Sequence, residues 1–568
     1  MADTKNLLDE MAHWTGIAGR MQQLLMENGA SAALKIIDDS AELMAKGPFD
    51  PHKLAEQQAA WWKDALAQWQ AMLPNGGKAA SSDRRFRGAR WEEPIFDMIR
   101  KSYVAISDQL LKSVEAIEGI DPRQKEQLRF ATQSFVEAMS PANFALTNPE
   151  VLNRIVETRG QNLVTGLERM LADIGAGQIR HVGENAFEVG KNLATTPGKV
   201  IRETPLYQLI HYAPTTPNVQ ATPVVIFPPW INRFYILDLG PEKSFVKWAV
   251  DQGLSVFMVS WKSADATLAD ITMDDYVVRG ELDAIDAIRD LLDVPSVHVV
   301  GYCVAGTALA MLLAWLAAKG DADKVASATF FTAQVDFTQA GDLALFVDDA
   351  QLALIESLAT DGYLDGRYMG ATFNLLRGRD LIWNYVVNNY LLADPYKPFD
   401  LLHWNSDVTN LPANWHRAYL ADFYRDNKLV KGEMNVDGVP LDLKAIKTPS
   451  YVQAGREDHI APPESVWKLT HYFNGPLRFV LAGSGHIAGV VNPPAAGKYQ
   501  YWTNDTRAGT LDEFVAGATE HKGSWWPDWV AWIGERSGGQ VPAQGARIPG
   551  KGKLKPIEDA PGRYVLMR

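Results

Sequence analysis

The spacing of apolar positions changes once along the chain, near residue 200. Before that point apolar residues recur at helical intervals. Over 94–117, Ile95, Met98, Ile99, Tyr103, Ile106, Leu110, Leu111 and Val114 follow the period of one helix face. A second helix is predicted over 54–72, which holds Ala, Gln, Trp and Leu without Gly or Pro. Asp121-Pro122 reads as a helix start, with the carboxylate as N-cap and proline in the first turn. The polar, basic stretch 81–87 between the first two helices is predicted to be a loop.

After residue 200, short β-branched runs alternate with helical patterns, which argues for a parallel sheet. Strands are predicted over 223–227, 254–261, 326–331, 449–455 and 477–481, and another begins at Val297. Helices are predicted over 244–250 and 276–292, with a further apolar helix over 308–318. The alternation breaks over about 335–446, an aromatic-rich stretch that reads as helices and turns. Hydrolase-like folds carry a cap over the active site at such an insertion. The tail from about 538 is rich in Gly and Pro and reads as irregular or extended. The expected fold class is therefore α/β: an α/β-hydrolase fold with an inserted helical cap. A mostly helical N-terminal accessory domain over 1–200 precedes the catalytic domain over 201–568.

Composition narrows the partners. The 568 residues suggest two or three domains. A net charge of −13 disfavours nucleic acid, whose phosphates need clustered Lys and Arg. The one cysteine excludes an intramolecular disulfide and a Cys-rich metal site, and it fits a reducing cytosol. No metal site and no cofactor are expected. Acids in the first ten residues argue against an export signal, and no apolar run is long enough for a membrane span. The pairs Trp61-Trp62 and Trp525-Trp526 mark either cores or an apolar association surface.

That single cysteine carries the candidate chemistry. Cys303 falls where the strand from Val297 meets the helix from Ala308, flanked by small residues. This is the layout of a nucleophile elbow. Gly301 and Ala305 are expected to be the small residues that let strand and helix approach. The amide of Val304 would point at an oxyanion. Free cysteines are more often buried hydrophobes than nucleophiles, so position alone does not decide. An acid and then a histidine should follow at strand ends. Asp458 follows one strand and His486 the next, in that order. Glu457 competes as the acid and His459 as the histidine. In this scheme His486 takes the thiol proton and Asp458 orients the imidazole. A second oxyanion donor is expected from Trp230-Ile231-Asn232, unless Asn232 only bonds its own backbone.

Several stretches resemble polyhydroxyalkanoate synthases. Gly301-Tyr302-Cys303-Val304-Ala305-Gly306-Thr307 is similar to the lipase-like box of that family. So are 227–239, 401–410, 457–460, 485–494, 523–527 and 560–565 to other stretches of it. Length and the helical N-terminal region resemble class I. One departure is Ala305, where the family usually has Gly. The resemblance implies an acyltransferase that polymerises (R)-3-hydroxyacyl-CoA into polyester with release of CoA, through Cys303, His486 and Asp458. It favours Asp458 over Glu457. It also implies that CoA enters only within the substrate thioester. Expected partners are 3-hydroxyacyl-CoA, the nascent polyester and its cytoplasmic granule surface, and a second copy bound through the cap. The alternative is a cysteine-dependent acyl-CoA thioesterase on the same fold, in which water accepts the acyl group.

Overall fold

The computed structural model describes Arg20, residues 83–506 and residues 508–568. The helix expected over 54–72 and Trp61-Trp62 lie outside these residues. Among the described residues, packing divides the chain into two compact units. One comprises residues up to Gly183 together with Gly370–Lys397; the other comprises Glu184–Met369 and Pro398–Arg568.

The first unit is helical. Pro94–Glu115 and Pro122–Ala138 pack against each other, and Pro149–Thr158 packs on Gln161–Ala176. Asp121 caps the second of these helices, accepting from the amides of Arg123 and Gln124. The stretch 81–87 is not only a loop. Arg84–Phe86 form a 3₁₀ turn that buries Phe86 against Trp91. Nor does 335–446 pack as one cap, because its portion 370–397 joins this helical unit. A Cβ at Gly166 would stand 1.6 Å from the Tyr390 carbonyl, so only glycine permits that approach. Asn162 then donates to the Leu391 carbonyl at 2.7 Å, and the Tyr390 hydroxyl donates to Asp173 at 2.6 Å.

The second unit is built on a mixed sheet, eleven-stranded among the described residues. Its strands are β1 (Gly198–Glu203), β2 (Tyr207–Tyr212), β3 (Val224–Phe227), β4 (Val256–Trp261), β5 (Val297–Tyr302), β6 (Val325–Phe331), β7 (Ser450–Gly455), β8 (Leu477–Ala482), β9 (Gln500–Thr503), β10 (Thr519–Lys522) and β11 (Glu558–Asp559). The spatial order is β10-β9-β8-β7-β6-β5-β3-β4-β2-β1-β11. The run β4-β3-β5-β6-β7-β8 is parallel, and the strands on either side of it are antiparallel. The parallel strands are covered on both faces, so they read as continuous apolar runs. The outer strands read weakly because they are short and mixed in polarity.

The 276–292 helix divides into a π turn, Tyr276–Leu282, and an α-helix, Asp283–Leu292. The tail is extended but paired, Gln540–Pro542 with Asn218–Gln220 and β11 with β1. Trp525 and Trp526 are fully buried and belong to the core. Their indoles donate to the carbonyls of Gly489 and Val490, at 2.8 and 2.9 Å, which anchors the chain just past His486. Among the described residues no helix is long and apolar enough to cross a membrane.

Candidate active site

β5 runs into the helix Val304–Lys319 with only Cys303 between them. Cys303 takes φ 55°, ψ −124°, a strained backbone for a residue with a side chain. Its amide is held by the Phe331 carbonyl at 2.9 Å. Thr307, one turn into the helix, donates to the Gln334 carbonyl at 2.7 Å and ties the helix to the loop after β6.

The close approach rests on Gly301, as expected, but its partner is Gly306 rather than Ala305. A Cβ at Gly301 would lie 2.6 Å from the Gly306 Cα, and one at Gly306 would lie 2.4 Å from the Ala333 Cβ. Gly301 and Gly306 are thus the pair that must stay small. Ala305 is fully buried, and its methyl is accommodated without a Gly. Val304, also buried, starts the helix, so its amide is among those that lack an intrahelical acceptor.

Asp458 and His486 meet at the carboxyl ends of β7 and β8. The Glu457 amide bonds the Ser484 carbonyl at 3.0 Å, which joins the two loops. Asp458 Oδ1 accepts from the amides of Ile460 and Ala461, at 2.8 and 2.9 Å. Its Oδ2 accepts from His486 Nδ1 at 2.7 Å. Glu457 is exposed and Asp458 buried, so geometry separates the two candidate acids. His486 also feels the charge of Cys303. Burial opposes charge on this imidazole. The negative charges of Asp458 and Cys303 outweigh burial and, with the Asp458 hydrogen bond, push its pKa up to about 10. The imidazolium therefore persists from neutral pH to about pH 10 and is lost above it.

The bond between Asp458 and His486 can be probed by substitution. Asp458→Asn removes the charge and sets an N–H donor against Nδ1, so the proton moves to Nε2. The His486 titration falls well below 10, and activity drops by roughly 10⁴-fold. Histidine NMR across pH 5–11 checks the first effect; an unmoved titration contradicts it.

The expected second donor loop, Trp230-Ile231-Asn232, leaves β3 beside the elbow, since Phe227 pairs with Gly301. Trp230 is committed to an aromatic stack: its ring lies 3.8 Å from Tyr276 and 5.2 Å from Trp415. Asn232 is buried and bridges to Val408, and Ile231 is half-buried.

Sequence reasoning missed Tyr419 and Tyr424. Their rings meet edge to face at 5.6 Å, and both feel the charge of Cys303. Burial first, then neighbouring charge, pushes both phenols well above their usual range. Phe337 and Trp415 pack on Tyr419 and extend this wall. The sequence offered only a general richness in aromatics over 335–446. It also missed Tyr302, whose hydroxyl donates to the His486 carbonyl at 3.0 Å.

The parallel sheet and elbow define the class, the α/β hydrolases. A family profile described as alpha/beta hydrolase fold matches residues 260–493, which include Cys303, Asp458 and His486. A second, described as "Poly-beta-hydroxybutyrate polymerase (PhaC) N-terminus", matches residues 82–249. The poly(3-hydroxyalkanoate) polymerase of Methylorubrum extorquens is 45% identical over 524 residues, covering 91% of this chain and 86% of that one. The polymerase subunit PhaC of Rhizobium meliloti (strain 1021) is 43% identical over 533 residues, with 91% and 86% covered. That of Cupriavidus necator is 40% identical over 573 residues, with 99% and 95% covered. The chain belongs to the poly(3-hydroxyalkanoate) polymerase family of acyltransferases.

Proposed function

We propose that this chain polymerises (R)-3-hydroxyacyl-CoA into polyhydroxyalkanoate, releasing CoA, through an acyl-enzyme on Cys303. One observation carries the reading. An imidazole is bonded to a buried carboxylate and lies within the electrostatic reach of a thiol on a strained elbow. A thiolate held beside an imidazolium is an effective nucleophile toward a thioester.

Cys303 attacks the thioester carbonyl of the substrate, and the oxyanion forms against the Val304 amide. Collapse breaks the C–S bond to CoA, and His486 gives its proton to the departing sulfur. Neutral His486 then takes the 3-hydroxyl proton of another acyl unit. That oxygen attacks the Cys303 thioester, an ester bond forms, and the sulfur leaves as thiolate beside the imidazolium. Both Asp458 oxygens are already engaged, which supports its action through His486 rather than on the hydroxyl directly. The aromatic wall of Tyr419, Trp415 and Trp230 supports exclusion of water, which would otherwise end the chain by hydrolysis. CoA enters only as part of the substrate.

On this reading the chain works at the cytoplasmic surface of its growing product, as a pair of copies joined through 335–446. The exposed Tyr368 and Phe399 in that stretch support such use. The product decides between polymerase and thioesterase. Incubation with 3-hydroxybutyryl-CoA is expected to give turbidity and ester-linked polymer. One free acid for each CoA released overturns the polymerase reading.

A further inference from the structure

The loop that holds the expected second oxyanion donor is tied down by a buried charge. Arg233 follows Asn232, and its side chain is 1% exposed. It meets Asp407, itself 4% exposed, through Nε at 3.2 Å. The Tyr235 hydroxyl donates to the other Asp407 oxygen at 2.8 Å. Arg233 Nη2 also donates to the carbonyls of Val408 and Met567, at 3.2 and 2.6 Å. Arg568 reaches Asp407 Oδ1 at 2.8 Å from an exposed position.

The backbone follows the same line. Asn232 pairs with Val408. Thr409 donates to the Trp230 carbonyl at 2.8 Å, and the Trp404 indole donates to the Arg233 carbonyl at 2.7 Å. Loop 230–235 and segment 404–409 therefore cannot separate without stranding a guanidinium and a carboxylate away from water. A buried ion pair adds little net stability over apolar packing of the same volume. What it adds is a fixed direction, because the guanidinium fork bonds in one plane.

We propose that Arg233 and Asp407 are positioning residues for acyl transfer, fixing loop 230–232 so that its donors meet the oxyanion formed at Cys303. This rests on the acyl-enzyme reading above. The pair touches neither substrate nor nucleophile, and it acts through the backbone it holds. Segment 404–409 shares the pair, so displacement of that segment withdraws the donors together with it.

The test separates transfer from nucleophilicity. Alkylation of Cys303 by iodoacetamide needs the Cys303–His486 pair but forms no oxyanion. In Asp407→Asn, kcat for CoA release from 3-hydroxybutyryl-CoA is expected to fall roughly 10- to 100-fold, with KM changed less than about twofold. The alkylation rate is expected to stay within about twofold of wild type, since the triad does not include this pair. Tyr235→Phe strands no charge and provides a variant that folds. Its kcat is expected to fall roughly 3- to 10-fold with the same unchanged alkylation. A lower urea midpoint with unchanged kcat in both variants overturns the proposal, as does a parallel loss of alkylation and kcat. If instead Cys303→Ala still releases CoA at the wild-type rate, it is the acyl-enzyme reading that has failed.

Discussion

Cys303→Ser is expected to cut CoA release from 3-hydroxybutyryl-CoA by on the order of 10⁴-fold or more, with the fold intact. Serine fits the same strained turn, and its amide still reaches the Phe331 carbonyl. What changes is charge. The negative charge on Cys303 is one of the contributions that hold His486 protonated up to about 10. An alcohol stays neutral beside an imidazole, so that contribution disappears and His486 must act as an ordinary base. Each attack by the alcohol must then carry its own proton transfer. Single-turnover release of CoA, with mass spectrometry for an acylated protein, gives the result. A Cys303→Ser enzyme that turns over like wild type removes the sulfur from the mechanism.

Gly301→Ala is expected to destabilise the sheet-bearing unit by about 3 kcal/mol and to abolish polymer formation. The added methyl meets the Gly306 Cα at 2.6 Å and the Ala305 carbonyl oxygen at 3.0 Å, and backbone cannot rotate away as a side chain can. Relief requires the helix Val304–Lys319 to move off β5, and that movement displaces Cys303 from His486. Ala305→Gly is the matched control, at a cost of about 1 kcal/mol for glycine in a helix and with the elbow unchanged. Urea unfolding and CoA release measured on both variants check the pair. Equal losses would mean that the methyl of Ala305, rather than the Gly301–Gly306 contact, sets the geometry.

The sequence is most legible where strands are covered on both faces. β3 to β8 are mostly apolar, and the predicted bounds agree with the structure to within two residues. β1, β2 and the pairing of the tail are not visible in the pattern. β1 and β2 mix polar with apolar residues, and β11 is a two-residue strand paired with β1. The triad is legible because each member follows a strand, and parallel strands deliver their ends to one edge. Tyr419 and Tyr424 are not, because they reach that edge from a π turn and its neighbouring helix more than a hundred residues beyond Cys303.

Chain order and residue type alone determined the class of fold and pointed to Cys303, an acid and a histidine in succession, because local periodicity and strand-end position are properties of short segments. Three matters were left to the folded molecule. It chose Asp458 over Glu457 by burying one and exposing the other. It placed the tight contact on Gly301 and Gly306. It brought Arg233, Asp407 and Arg568 together across more than 300 residues of chain. Each of these depends on distances between segments remote in sequence, and packing in three dimensions is what sets such distances.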